Sequence, residues 1–227
     1  MNKIKLYHYV HCPFCVRVRI AFKYLRIEFE SVVLSYDNEK TPLELTGVKM
    51  LPIVEGAAGA MNESLEIIKY HDDGGLIDLS IYLENKSDID ELLSNIGRQV
   101  HSLAMPYWIY TPEFDDISRH YFQTKKEKKR GPFNVLVEDR LVLMSKIDSI
   151  LSGLVEDLQP FYKSKEFSLV DILLYSHLVG LYVVPGFHFP QKIVHYMTTI
   201  EGLTGFNYHE DFWRDNKPFR AQNRRKE

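Results

Sequence analysis

Cysteine is scarce in this chain: two residues among 227, both in one tetrapeptide. So few thiols exclude a disulfide-dense secreted scaffold. A structural zinc site normally takes four ligands, and the sequence has no second C-x-x-C or closely spaced Cys/His pair to supply them. A strong charge of one sign is also missing. The net charge of −3 creates no field that would recruit nucleic acid or an anionic membrane. No apolar run is clean enough to span a bilayer. The best candidate, 167–184, is interrupted by Asp171 and His177 and ended by Pro185-Gly186, so it reads as a buried core helix. The first residues carry Lys3 and Lys5 within an alternating segment, with no small-residue cleavage site, and predict no secretory signal peptide. There is no phosphate-binding glycine motif, internal repeat or low-complexity segment. What remains is the composition of an ordinary globular protein, 45% hydrophobic and 26% charged. Its length allows one large domain or two small ones. The cysteine usage fits a reducing cytoplasm.

The tetrapeptide is Cys12-Pro13-Phe14-Cys15. It follows a short apolar run, Ile4 to Val10, and precedes a helix-like stretch, Val16 to Leu25. A C-x-x-C between a strand and a helix reads as a thiol redox site. Cys12 falls in the N-cap region, and Pro13 suits the first helical position. The unpaired amides of the first turn and the positive end of the helix dipole then stabilise a Cys12 thiolate. Cys15, close to one turn further on, is placed to attack a disulfide formed on Cys12. A c-type haem site is excluded because Val16 stands where it needs histidine. His8 and His11 lie upstream, but strand geometry turns them away from a centre shared with both sulfurs. A structural disulfide closing so short a loop removes little chain entropy. The redox reading is preferred to a metal site or a chemically neutral pair.

Residues 3–9 read as a strand, 13–26 as a helix and Glu28 to Leu34 as a second strand. A polar loop from Tyr36 to Gly47 follows, with room for a short helix. Met50 to Val54 opens a third strand, Gly56-Ala57-Ala58-Gly59 is a hairpin turn, and Ala60-Met61 begins a fourth strand. Glu63-Ser64 reads as the cap of a helix. Asp72-Asp73-Gly74-Gly75 marks a boundary. The organisation expected is a mixed α/β domain over 1–73, a linker over 74–87, and an all-helical domain over 88–227. In the second domain helices are expected from Ile89 to Tyr110 with a kink at Pro106, from Asp115 to Lys129, and from Phe133 to Leu158. An all-apolar central helix is expected from Leu169 to Val183, and a last one from Pro190 to Thr204. Ser168 and Asp171 form a variant capping box ahead of the apolar helix, a structural role preferred to a catalytic Asp171. The polar tail from Lys217 is expected to be mobile.

Together, His11-Cys12-Pro13-Phe14-Cys15, Leu51-Pro52-Ile53, Asn62-Glu63-Ser64 and the segment Phe167 to Ile172 resemble the two-domain glutaredoxins with a glutathione-transferase fold, the glutaredoxin 2 family. The resemblance implies an α/β plus all-α fold: a thioredoxin-like N-terminal domain followed by a helical glutathione-transferase-like C-terminal domain. It implies Cys12 and Cys15 as catalytic residues. It implies glutathione, as co-substrate, held by Pro13, Phe14, Leu51, Pro52, Glu63 and Ser64. Leu51-Pro52 resembles a cis X-Pro element that turns the Leu51 backbone toward the cysteinyl part of glutathione; a plain strand-opening proline is the alternative. Ser64 and its neighbouring amides would hold the γ-glutamyl carboxylate at a helix N-terminus, and Glu63 the ammonium. Seen alone, those residues are equally a helix cap. Phe14 stands where the family often has Tyr, which removes a phenol donor.

His11, if charged, favours the thiolate; a solvated surface histidine is the preferred reading. Arg17, Arg19 and Lys23 lie on the following helix, some facing solvent and one a candidate for the glycyl carboxylate. Tyr107, Trp108 and Tyr110 read as core packing or, secondarily, as a floor for the cleft.

The expected partners are glutathione and disulfide-containing proteins, with no nucleic acid, no membrane and no metal, acting as a monomer. The implied function is reduction of glutathione mixed disulfides and protein disulfides. The rivals are a glutathione transferase, against which the retained Cys15 argues, and a non-enzymatic redox-gated module on the same fold. Iron–sulfur assembly is disfavoured by Pro13 between the cysteines.

Overall fold

Four strands and three helices form the N-terminal half. They are β1 (Lys5–His8), α1 (Pro13–Tyr24), β2 (Glu30–Val33), α2 (Lys40–Thr46), β3 (Ile53–Gly56), β4 (Gly59–Asn62) and α3 (Ser64–His71). The computed structural model describes residues 3–208, 210, 213–214 and 217–218. The sheet order is β2-β1-β3-β4. β1 and β2 run parallel, as a strand–helix–strand unit through α1 requires, and β3 and β4 form an antiparallel hairpin. Gly59 closes that hairpin at φ 104°, a conformation glycine adopts without a Cβ penalty. β3 starts at Ile53 and not at Met50, because Pro52 has no N–H to give to a ladder.

The helical half comprises α4 (Ser80–Glu84), α5 (Lys86–Trp108), α6 (Asp116–Arg130), α7 (Phe133–Glu138), α8 (Arg140–Glu156), α9 (Leu169–Leu178) and α10 (Gln191–Thr204). The stretch read as a linker therefore carries a helix, α4, and the Asp78 carbonyl in it accepts from the Leu169 amide. The single helix expected from Phe133 to Leu158 is two. Asp139 leaves helical geometry at ψ 6° and separates α7 from α8. The break is invisible to periodicity because both segments pack on α5. Pro106 falls in the last turns of α5. Short strands β5 (Trp213–Arg214) and β6 (Lys217–Pro218) pair antiparallel. The polar tail beyond Pro218 lies outside the described residues.

α9 is buried at every position, as its all-apolar sequence predicts, and continues through a 3-10 turn to Val183. Its capping box forms. The Asp171 carboxylate, fully buried, accepts from the Ser168 amide (2.9 Å), the Ser168 hydroxyl (2.9 Å), the Tyr162 amide (2.8 Å) and the Tyr196 hydroxyl (3.0 Å). Its role is structural. Asp171→Ala strands those donors inside the core and is expected to cost about 3 kcal/mol or more, read as a lower urea midpoint with unchanged activity per folded molecule.

α1 is the pivot between the halves. It lies against α3 of the N-terminal half and against α9 and α10 of the helical half. Nearly all of it is buried, including Arg17 and Arg19. Its N-terminus therefore opens at the junction of the two halves, and the C-x-x-C sits there.

Candidate active site

Cys12 is the N-cap of α1, with extended backbone (φ −74°, ψ 121°), and Pro13 is the first helical residue. Both cysteines are free thiols. Cys12 is half-buried. Cys15 is fully buried, in a small cluster with Tyr9, Leu34, Leu51 and Ile53, and its sulfur accepts from the Tyr9 amide at 3.5 Å. The two thiols titrate apart. The Cys12 thiol falls to about 6, first because Cys15 donates a hydrogen bond to its sulfur, and against the opposing effect of burial. The His11 charge and the Cys15 and Phe14 amides of the first turn add to the lowering. Burial pushes the Cys15 thiol up, and the neighbouring Cys12 thiolate pushes it further.

His11 is not a surface histidine. It is 4% exposed and walled by aromatic rings, with Trp108 at 5.0 Å, Phe114 at 5.2 Å and Phe122 at 5.4 Å between centroids. Its Nδ1 lies 2.5 Å from Glu113, which stands between α5 and α6. The same carboxylate accepts the Val10 amide (2.8 Å) and the His11 amide (3.3 Å). Burial alone would raise the Glu113 carboxyl. The His11 charge and hydrogen bond and the Val10 amide bring it below the usual range. Glu113 thus ties the helical half to the loop that presents Cys12. Nothing in the sequence signals it, because an isolated Glu in Thr111-Pro112-Glu113-Phe114 carries no spacing that points 102 residues upstream. Of the aromatic trio read first as core packing and second as a floor for the cleft, Trp108 is buried against His11 and donates to the Gly180 carbonyl at 3.0 Å. Tyr110 is exposed.

The Leu51-Pro52 bond is cis, immediately before β3, and both residues are buried. Leu51 packs in the cluster that holds Cys15, so this loop and the dithiol share one wall. Glu63 precedes α3 at φ 70°, a left-handed conformation that costs a non-glycine residue strain. It makes no side-chain capping bond, and Ser64 is the first helical residue, so the expected side-chain cap does not form. The first-turn amides of α3 therefore carry no side-chain cap from Glu63. The Phe14 ring is 46% exposed and lies 4.5 Å from the Arg17 guanidinium. The three basic residues of α1 diverge. Arg17 bonds His177 at 3.2 Å, Arg19 reaches the carbonyls of Val10, Asn207 and Tyr208, and Lys23 pairs with Glu210. None of them is a fully solvated helix-surface cation, as the sequence had suggested for some.

A half-buried thiolate at a helix N-terminus, one turn from a buried thiol, on a thioredoxin-like sheet joined to a helical domain, defines a dithiol oxidoreductase of the glutathione-transferase fold. Comparison with known proteins agrees. Residues 6–73 match the glutathione S-transferase N-terminal domain and residues 88–212 the glutaredoxin 2 C-terminal domain. Glutaredoxin 2 of Escherichia coli K12 is 31% identical over 212 residues, covering 90% of this chain and 97% of its own. The crystal structure of glutaredoxin 2 from Salmonella typhimurium in complex with glutathione superposes with a TM-score of 0.79 at 32% identity, over 92% of this chain and 97% of that one. A glutathione S-transferase from Ceriporiopsis subvermispora shares the fold, with a TM-score of 0.73 at 13% identity over 90% of this chain and 97% of its own. The chain belongs to the glutaredoxin 2 family, and its activity is that of a glutaredoxin-type thiol–disulfide oxidoreductase. No helix among the described residues is long and apolar enough to cross a membrane.

Proposed function

We propose that Cys12 is the nucleophile and Cys15 the resolving thiol in reduction of glutathione mixed disulfides and protein disulfides. The observation that supports this most is the opposite displacement of the two thiols. The Cys12 thiolate attacks one sulfur of the substrate disulfide. A Cys12–substrate disulfide forms, the old S–S bond breaks, and the departing thiolate takes a proton from water. Where the captured half is glutathione, a second glutathione thiolate attacks it, releasing oxidised glutathione and regenerating the Cys12 thiolate. Where it is a protein, Cys15 loses its proton and attacks the Cys12 sulfur, and the pair leaves as an intramolecular disulfide. The geometry times this second step. Once Cys12 is in a disulfide, its negative charge is gone, and only burial still holds the Cys15 thiol up.

Glutathione is the co-substrate in this reading. Leu51 and Pro52 would flank its cysteinyl part and Pro13 and Phe14 the sulfur, while Glu63 and Ser64 at the head of α3 would take the γ-glutamyl end. The support is the packing of Leu51 in the cluster that holds Cys15 and the glutathione complex of the Salmonella relative. Residues 1–73 act as the redox unit and 88–227 as the helical unit, with 74–87 a structured connector. Protein disulfides are the second substrate class, and the protein works as a monomer in a reducing cytoplasm.

A coupled assay on a glutathione mixed disulfide, beside a transferase assay on an aromatic electrophile, separates this reading from its nearest rival. Turnover in the first and little in the second is expected; the reverse would overturn it. A finer test concerns the hydrogen bond from Cys15. Cys15→Ser keeps a hydroxyl donor and should leave the Cys12 thiol near about 6. Cys15→Ala removes the donor and should raise it by about one unit, worth ~1.4 kcal/mol, read by absorbance of the thiolate against pH.

A further inference from the structure

A cleft of about 440 Å³ opens beside Phe14 and Arg17, between α1 and the helical half. Of the residues proposed above for glutathione, Phe14 alone lines it, so the cleft adjoins the glutathione seat at that ring. Its walls are rich in hydrogen-bond donors. Arg17, 7% exposed, spends one terminal nitrogen on His177 and leaves its buried Nε without a partner. His177 receives that bond on Nε2 at 3.2 Å. Arginine only donates, so Nε2 is the acceptor and the proton of the neutral ring sits on Nδ1. That Nδ1 is buried and has no partner. Gly97 packs closely against this ring: a Cβ there would stand 3.2 Å from Nδ1 and 3.0 Å from Cε1.

His101 repeats the arrangement, receiving Arg130 on Nδ1 at 3.3 Å, which puts its proton on Nε2. Both imidazoles are kept neutral by burial and by the adjacent arginines. Arg98, exposed, adds a third guanidinium. Among the described residues Asp90 is the one acid on the wall, and it is already engaged by Lys86 and by the Tyr82 hydroxyl. The unpartnered Arg17 Nε, with Arg98 and Arg130 on the same wall, outweighs the single Asp90 charge and suits an anion with two oxygens.

We propose that this cleft docks a carboxylate carried by the disulfide substrate, beside and not within the glutathione seat. The inference rests on the reading of Cys12 as the nucleophile. Arg17 connects the two, because its charge is felt at Cys12. An acidic residue near the reactive cysteine of a protein substrate, or the carboxylate of a small thiol, would present the same group.

The test uses the full chain and two pairs of mixed disulfides with glutathione. One pair is a short cysteinyl peptide with a flanking glutamate or glutamine. The other is 3-mercaptopropionate or its amide. Wild-type kcat/KM should favour the carboxylate member of at least one pair by about tenfold, the scale of one charge-assisted hydrogen bond. The pair that shows it identifies the source. Arg98→Gln, at an exposed position, should reduce the preference severalfold without loss on the neutral member, and Arg17→Gln should bring the preference close to unity whatever it does to turnover of the neutral member. Turnover of both members of both pairs at equal kcat/KM would overturn the cleft and leave the thiol chemistry standing. Loss of turnover on all four in the wild type would instead overturn the reading of Cys12, and the cleft with it.

Discussion

Cys12→Ser is expected to abolish reduction of glutathione mixed disulfides and of protein disulfides alike, by at least about a thousandfold. Serine at the helix N-terminus is not ionised at neutral pH and cannot form a disulfide. Cys15→Ser should behave differently. Turnover of a glutathione mixed disulfide needs only the Cys12 thiolate and a second glutathione, so the variant should keep much of it. Reduction of a protein disulfide needs an internal thiol to release the product, so that activity should be lost. The serine hydroxyl also keeps the hydrogen bond that does most to hold the Cys12 thiolate, so the split reports on resolution and not on nucleophile strength. Assays of both variants on a small mixed disulfide and on a disulfide-bonded protein decide this. Equal loss of the small-substrate activity in both variants would contradict the division of roles.

Glu113→Ala is expected to cost about 3 kcal/mol or more of stability, because it leaves the buried His11 ring without its hydrogen-bond partner. The Val10 and His11 amides lose their acceptor in the same change. Chemical denaturation with Trp fluorescence measures it. Glu113→Gln keeps the shape and should be the folded variant. In it the Cys12 thiol should titrate higher than in the wild type, because the His11 charge is one of the groups that lowers it and Glu113 is what holds that ring in place. A Glu113→Gln protein of normal Cys12 titration would reduce Glu113 to a strut between the halves.

Much of the redox half was legible because its chemistry is local. Cys12, Pro13 and Cys15 sit within one helical turn, so spacing alone predicts which sulfur faces the first-turn amides. The apolar run of α9 and its Ser168/Asp171 box were equally local. What the sequence hid is what folding joins from far away. The carboxylate of Glu113 reaches the Cys12 loop across the domain junction, and nothing near position 113 announces it. His11 looked solvated because no local spacing ties it to an apolar partner; the rings that bury it come from α5 and α6 and the loop between them. Arg17 and Arg19 looked like surface cations on one helix, and only the docking of α9 and α10 buries them. The Asp139 break between α7 and α8 escaped because a turn that preserves the apolar face leaves the period intact.

The most direct test of the account is the pH dependence of alkylation of the fully reduced protein, with each cysteine followed separately by peptide mapping. Cys12 should be modified at a rate that rises through a midpoint of about 6 and is level by neutral pH, with Cys15 unmodified over the same range. A Cys12 midpoint near about 8.5, that of an ordinary free thiol, or faster modification of Cys15 than of Cys12, would contradict it.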